Sequence, residues 1–133
     1  GASETILDGG EDWSREVRGL TGKRGVDVCV DSVGGQLHLP RIKSLARGGT
    51  LVTCGCTAGA APKTDLARVF WNQLSILGST MGDMHEFRQV VSLFTHNCMR
   101  SVIDSVHEAK NAKKAFARLE SGEQFGKVVL RWQ

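Results

Sequence analysis

The fold is decided by residues 25–55, which read GVDVCVDSVGGQLHLPRIKSLARGGTLVTCG. Apolar residues occupy both alternating positions of the run at 26–30, a pattern typical of a strand covered on both faces of a parallel sheet. A helix is predicted over residues 36–46, and a second strand is predicted over residues 50–54. Together these segments predict a β-α-β unit.

Glycine follows each of the two predicted strands. Gly34 and Gly35 come after the first strand, and Gly55 comes directly after the second. In an open parallel sheet, ligands bind in the crevice outside the carboxyl ends of the strands, and glycine there leaves the backbone open to a ligand. The residues support two interpretations: the glycines line a ligand site, or they only make turns. Any function of this chain is expected at this edge of the sheet.

The remaining segments continue the alternation of strands and helices. Helices are predicted after Asp12 and over residues 65–72, 83–95 and 112–119, and strands over residues 5–7, 74–78, 101–106 and 127–130. Asp65 is expected to cap its helix, and residues 83–95 show the clearest amphipathic pattern. Elements of these lengths in this order predict an α/β fold with a mostly parallel sheet.

Length and charge exclude several classes of protein. The chain has 133 residues, which fits one domain. Charged residues make up 23% of it and the net charge is +3, with the basic residues scattered along the sequence. Because no basic stripe is present, nucleic acid and membrane surfaces are disfavoured as partners. The apolar runs are also too short to span a bilayer.

The cysteine pattern predicts reduced thiols and no metal site. Cys29, Cys54, Cys56 and Cys98 are dispersed, and Cys54-x-Cys56 is not the spacing of a zinc ribbon. The histidines are dispersed as well. Reduced cysteines indicate a reducing compartment, which we take to be the cytoplasm, with the mitochondrion as the alternative.

Motifs with a known chemistry are missing from the sequence. It contains no G-x-G-x-x-G, no G-x-x-x-x-G-K-[ST] and no G-x-S-x-G. The segment from Gly122 to Lys127 imitates a phosphate loop only superficially, because it lacks the spacing and the hydroxyl residue. No pair of carboxylates stands out as an acid and base couple either. The residues alone therefore assign no catalytic group.

Several longer segments, in this order, resemble a known superfamily. They are GASETIL at 1–7, EVRGLTGKRGVDVCVDSVGG at 16–35, LARGGTLVTCG at 45–55, ILGSTMG at 76–82 and AFARLESGEQFGKVVL at 115–130. Together they resemble the medium-chain dehydrogenase/reductase superfamily. Within it, the chain is most similar to zinc-binding alcohol dehydrogenase and quinone oxidoreductase-like members.

The resemblance implies that the chain is one part of a larger enzyme. Members of the superfamily carry a GroES-like catalytic domain followed by a Rossmann domain with a glycine fingerprint. Residues 1–133 resemble the carboxyl-terminal part of that cofactor-binding domain with its terminal helix and strand. The implied fold is a partial Rossmann-type, doubly wound parallel sheet without its first strands. The implied parent is an NAD(P)-dependent oxidoreductase of alcohol dehydrogenase or quinone reductase type. The chain alone is expected to be inactive and to bind no zinc.

The resemblance also assigns cofactor contacts near the first strand. The turn at 31–34 would lie against the adenosine half of NAD or NADP. There Val33 would make apolar contact and Gly34 would give clearance. Asp31 would bond a ribose hydroxyl, with a helix cap as the alternative interpretation.

The nicotinamide contacts fall at two further strand ends. Cys54 and Gly55 resemble one of these ends, and Ser79, Thr80 and Met81 resemble the other. The carbonyls of Cys54 and Ser79 would accept from the carboxamide and the Met81 N–H would donate to it. Lys127 matches a position where a basic residue reaches the cofactor phosphates, with a solvated surface residue as the alternative.

The expected strand order leaves two edges for contacts between chains. Without the first strands of the family's sheet, the strand at 26–30 would have an unpaired edge, which invites pairing with another chain. Members of the family commonly dimerise through the outermost strand, here residues 74–78, so we expect a homodimer. A second class of function follows from the same edges: a non-catalytic α/β module that self-associates.

Overall fold

The computed structural model describes residues 2–7, 12–96 and 98–132. Its internal contacts divide the chain into two units, Gly1–Met81 and Gly82–Gln133. Each unit contains its own parallel sheet. The first unit holds the segment that decides the fold.

The first unit alternates helices and strands. Its elements are α1 (Ser14–Leu20), β1 (Val26–Asp31), a short 3-10 turn (Gly35–Leu37), α2 (His38–Ser44), β2 (Leu45–Thr53), α3 (Leu66–Trp71) and β3 (Ser75–Gly78). The order of strands in the sheet is β1-β2-β3, and both pairs are parallel. Asp31 lies beside Thr53, and Thr53 lies beside Gly78, so the three carboxyl ends are in register. The predicted α/β class with parallel strands is confirmed.

The core of the first unit lies on one face of its sheet. Ile42, Leu45 and Leu51 are at most 2% exposed and pack against Val69 of α3 and Cys29 of β1. Successive residues of a strand point to opposite faces of the sheet, so Val28 and Val30, on either side of Cys29 in β1, belong to the other face.

On that other face, the sheet is open to solvent. Val28 is 59% exposed, Val30 is 68% exposed and Leu77 is 53% exposed. The prediction that the first strand is covered on both faces is therefore wrong for the residues that the structure describes. α2 and α3 pack on the face of the sheet that carries Leu51, and the opposite face of β1 is exposed to solvent.

The boundary between α2 and β2 differs from the prediction. The helix ends at Ser44 and the strand begins at Leu45, earlier than the predicted start at residue 50. Leu45 pairs with Val26 and Thr50 pairs with Val28, so residues 46–49 form a bulge in β2. Close backbone approach makes this pairing possible, since a Cβ on Gly25 would lie 2.5 Å from the Ser44 carbonyl oxygen.

At the amino-terminal end, the predicted strand at 5–7 is not formed. Those residues have no regular secondary structure, and residues 8–11, where Asp8, Gly9 and Gly10 predict a turn, lie outside the described residues. The first regular element is α1. Asp12 precedes it and accepts from the Ser14 N–H at 3.1 Å, whereas Trp13 occupies the N-cap position and makes no side-chain cap bond.

The second unit contains α4 (Met84–Thr95), β4 (Ile103–Glu108), a 3-10 turn (Ala109–Asn111), α5 (Ala112–Glu120) and β5 (Lys127–Arg131). β4 and β5 pair in parallel, and Ala115 of α5 is its buried apolar residue. Arg118 binds Asp104 at 2.9 Å and holds the pKa of that carboxyl well below its usual value. Asp83 and Glu86 form a capping box at the start of α4.

Across the described residues, no helix has both the length and the apolar composition to cross a membrane.

Candidate functional site

Three strand ends meet at one rim of the first sheet. The Cys54 N–H donates to the Asp31 carbonyl at 2.8 Å, and the Ser79 N–H donates to the Thr53 carbonyl at 2.9 Å. The segments 31–34, 54–55 and 79–81 therefore follow neighbouring strands, and we call them the rim site. All predicted cofactor residues except Lys127 belong to it. Carboxyl ends of parallel strands form the ligand crevice of open α/β sheets.

The carboxylate of Asp31 is turned into the protein. Its Oδ1 accepts from the N–H groups of Val33 at 2.8 Å and Gly34 at 3.0 Å, and it lies 3.1 Å from Nε of Arg41. The residue is 2% exposed, and among the described residues its Oδ2 has no hydrogen-bond partner. Asp31 therefore stabilises the turn itself and is not the cap of a helix, because neither the 3-10 turn nor α2 has a side-chain cap. A bond from Asp31 to a ribose hydroxyl stays a prediction.

The loop that follows β2 lies directly on the turn at 31–34. The Ala58 N–H donates to the Val33 carbonyl at 2.8 Å, and the Gly35 N–H donates to the Gly59 carbonyl at 3.0 Å. These bonds join the ends of β1 and β2 beyond the point where the strands stop pairing. The two segments therefore act as one backbone surface at this side of the rim site.

Glycine is required there because the two segments approach closely. A Cβ on Gly34 would lie 2.8 Å from the Gly59 carbonyl oxygen, and a Cβ on Gly55 would lie 2.6 Å from the Ser32 carbonyl oxygen. Gly34 also has a φ of +66°, which side chains rarely adopt. The missing side chain of Gly34 makes room for the neighbouring loop, and its clearance for a ligand stays a prediction.

The three main-chain groups predicted to hold the carboxamide are free to bind a ligand in the part of the chain that the structure describes. Within the described residues, no hydrogen bond engages the carbonyls of Cys54 and Ser79 or the N–H of Met81. Met81 has a φ of +50° and is 99% exposed. A side-chain-bearing residue in this conformation is uncommon, and such residues cluster at ligand sites. The acceptors and the donor that the carboxamide would need are therefore among the main-chain groups that the rim site can offer to a ligand.

The remaining predicted residues are placed as follows. Val33 is half-buried in the turn and Thr80 is exposed. Lys127 belongs to the second unit, where it begins β5 with an exposed side chain and its N–H donates to the Val102 carbonyl at 2.9 Å. A contact between Lys127 and cofactor phosphates stays a prediction.

Arg41 is the residue of the rim that sequence reasoning missed. It lies on α2, is 8% exposed, and its Nη1 is 3.4 Å from the Gly34 carbonyl oxygen. The available signal was a carboxylate at the end of a strand followed by a basic residue within the next helix. That signal is weak, because most basic side chains on helices are solvated.

The cysteines are free thiols, and none of them forms a metal centre with its neighbours. Cys54, Cys56 and Cys98 are exposed, while Cys29 is half-buried in β1. Burial raises the pKa of the Cys29 thiol, which favours its neutral form. In the part of the chain that the structure describes, no three potential metal ligands lie together. The residues present therefore do not fit a zinc ion.

Parallel strands joined by helices, with backbone acceptors and a donor at one rim, define a Rossmann-like α/β protein. Residues 1–130 match the family described as zinc-binding dehydrogenase, and the chain belongs to that family. The resemblance drawn from the sequence is thereby confirmed.

The relatives that the chain matches include proteins named as alcohol dehydrogenases and proteins named as quinone oxidoreductase-like. An NAD-dependent alcohol dehydrogenase of Sulfolobus acidocaldarius is 29% identical over 117 residues, which cover 87% of this chain and 34% of that protein. Quinone oxidoreductase-like protein 2 of Rattus norvegicus is 27% identical over 123 residues, 86% of this chain and 35% of that protein. The chain thus spans about a third of the length of these relatives.

Solved structures share the fold. The crystal structure of an NAD-dependent alcohol dehydrogenase matches with a TM-score of 0.86 at 36% identity, over 98% of this chain and 38% of that one. The alcohol dehydrogenase of Aeropyrum pernix matches with a TM-score of 0.78 at 30% identity, over 92% of this chain and 35% of that one. These matches confirm the Rossmann-like architecture.

Proposed function

We propose that the chain is the carboxyl-terminal, cofactor-binding portion of an NAD(P)-dependent oxidoreductase, and that its rim site holds the nicotinamide dinucleotide. Membership of the zinc-binding dehydrogenase family supports this, as do relatives named as NAD-dependent dehydrogenases. The observation that carries the proposal is that the carbonyls of Cys54 and Ser79 and the N–H of Met81 lie at adjacent strand ends and have no hydrogen-bond partner among the described residues.

These groups match the hydrogen-bonding pattern of a carboxamide. Its NH₂ donates to the carbonyls of Cys54 and Ser79, and its oxygen accepts from the Met81 N–H. Holding the carboxamide fixes which face of the ring points to the substrate, and this positioning makes hydride transfer selective. The bound dinucleotide supplies the hydride chemistry, while these residues bind and orient it. Beside them, the turn that contains Val33 and Gly34 faces the adenosine half.

A titration with two dinucleotides tests this assignment. NAD and nicotinic acid adenine dinucleotide differ only in that a carboxylate replaces the carboxamide, so the second ligand is a matched control for every other contact. We expect saturable submillimolar binding of NAD(H) or NADP(H). The acid analogue should bind at least about tenfold more weakly, because it loses two donors and meets two carbonyl oxygens. Equal affinities, or no binding at all, would contradict the assignment.

The chain by itself is proposed to be inactive. The sequence assigns no catalytic group to this chain, and among the described residues no three potential metal ligands lie together. Catalytic groups would then belong to the rest of the enzyme, whether it acts on alcohols or on quinones. Steady-state assays with simple alcohols and quinones should show no cofactor turnover by the pure chain, and reproducible turnover would reject this part of the proposal.

A second candidate, a non-catalytic module that self-associates, is favoured by the open sheet. β1 and β3 are the outer strands of the first sheet. Ile76 is 41% exposed and Leu77 is 53% exposed on β3, the strand within residues 74–78 where we propose a homodimer. The cofactor titration separates the two candidates, because self-association without any cofactor response would favour the module.

A further inference from the structure

We propose that Arg41 is a positioning residue for the cofactor, because its buried ion pair with Asp31 holds the turn at 31–34 in its binding conformation. The inference rests on the proposed function. It assigns a role to a residue that makes no predicted contact with the dinucleotide.

The pair is buried on both sides. Asp31 is 2% exposed and Arg41 is 8% exposed, and Nε of Arg41 lies 3.1 Å from Oδ1 of Asp31. The same guanidinium reaches the Gly34 carbonyl oxygen at 3.4 Å through Nη1. Because Oδ1 of Asp31 also accepts from the Gly34 N–H at 3.0 Å, the two side chains together hold both polar groups of Gly34.

The turn needs such support because of its backbone conformation. Gly34 has a φ of 66° and a ψ of −143°. A glycine visits many other conformations when nothing holds it, so an unsupported turn would be mobile. Binding to a mobile turn must first order it, whereas a turn that is already ordered binds without that loss. The ion pair therefore preorganises one side of the rim site.

The ion pair between Asp31 and Arg41 also supports the loop after β2. Ala58 donates to the Val33 carbonyl, and Gly59 accepts from the Gly35 N–H, so the loop after β2 is fixed to the same turn. Movement of the turn would displace this loop. Arg41 thus supports two backbone segments that face the adenosine half of the dinucleotide.

Only arginine has the shape for this role. A guanidinium is planar and rigid and presents several N–H donors at fixed angles, so it can bridge a carboxylate and a carbonyl at once. A lysine in the same position keeps the charge but places it at a single point. Arg41→Lys therefore removes the bridge between the Asp31 carboxylate and the Gly34 carbonyl and keeps the positive charge.

The experiment compares Arg41→Lys with the unmodified chain and with the control Arg24→Lys. Arg24 pairs with Asp27 on the surface near the start of β1, so the control makes the same chemical change in an exposed ion pair. Dissociation constants are measured for NADH, ADP-ribose and nicotinamide mononucleotide. Arg41→Lys should weaken ADP-ribose and NADH about fivefold and leave nicotinamide mononucleotide within about twofold. Arg24→Lys should bind all three normally.

The possible results distinguish the two proposals. Unchanged ADP-ribose affinity in Arg41→Lys would overturn the role of Arg41 alone. Equal weakening of both fragments would do the same, because it would show a general loss of structure. If the unmodified chain binds no dinucleotide, the proposed function fails, and the cofactor role of Arg41 fails with it.

A measurement on the unmodified chain applies even if the variant does not fold. Hydrogen exchange of the Val33 and Gly34 amides reports directly on the turn. We expect both amides to be protected in the free chain and to gain little further protection with ADP-ribose. Protection that arises only after ADP-ribose is added, or is absent throughout, would show that the turn is not preorganised and would overturn the inference.

Discussion

At the scale of single residues, glycines and charged side chains together fix the backbone at the rim site. Gly34 lets two backbone segments meet, and Asp31 with Arg41 holds the resulting turn. The glycines after the strands could be found in the sequence, but their purpose could not. Whether a glycine makes room for a ligand or for a neighbouring loop depends on residues 55–59, whose path is a tertiary property.

Gly34→Ala tests the close approach at the turn. The new Cβ would meet the Gly59 carbonyl oxygen, and alanine would also be strained at a φ of +66°. We expect a loss of roughly 2–4 kcal/mol in the free energy of unfolding, from the strained backbone and the contact together. The measurement is urea denaturation followed by circular dichroism.

The control for this prediction is Gly22→Ala. Gly22 has a φ of +60°, yet a Cβ there would meet no atom within 4 Å. It should therefore lose only the backbone contribution, about 1 kcal/mol. Equal losses in the two variants would show that the approach between the turn and the loop is not tight.

At the scale of elements, local signals predicted the helices and the parallel strands well and missed where β2 begins. Asp65 caps α3 as predicted, and Asp83, the predicted first residue of the next helix, caps α4; capping depends on residues close together in the chain. The early start of β2 was missed. Its bulge at 46–49 is fixed by pairing with Val26 and Val28, which no local pattern records.

The packing of α1 on α2 should depend on pH. Lys43 on α2 bonds Asp12 at 2.6 Å, and together with Ser14 it lowers the pKa of Asp12 to about 2. Since this folded-state pKa lies below the ordinary value of 3.8, the stabilisation is present above pH 4 and is lost as the pH falls from there towards 2. Both groups are partly exposed, so we expect only about 0.5–1 kcal/mol.

Asp12→Asn is the variant that checks this dependence. Its stability should fall below that of the unmodified chain at pH 6, and the difference should shrink as the pH approaches 2. Urea midpoints at a series of pH values give the comparison. A difference that persists unchanged at pH 2 would mean that the charge of Asp12 is not involved.

At the scale of the whole molecule, the first sheet has an open face and open edges. Val28 and Val30 on β1 and Leu77 on β3 are all more than half exposed. The open edges were expected from the resemblance. The open face was not, because a chain of ordinary hydrophobicity is expected to cover its strands. Exposed edges next to apolar side chains are typical of surfaces that pair with another chain.

We expect the chain to form a dimer through β3 at tens of micromolar, measured by light scattering. Leu77→Lys should shift the dimer towards monomer, because it places a charge beside the strand edge. Val28→Lys makes the same change on β1 and should leave the dimer intact. A monomeric unmodified chain would refute the dimer, and a loss caused equally by both variants would refute its assignment to β3.

The central claim is that the rim site binds the nicotinamide dinucleotide through its main chain, and amide chemical shifts during an NADH titration test it most directly. We expect saturable shifts concentrated in residues 31–35, 54–55 and 79–81, with the Met81 N–H moving downfield as it donates to the carboxamide. Shifts confined to other parts of the chain, or a Met81 amide that does not move at saturation, would contradict it.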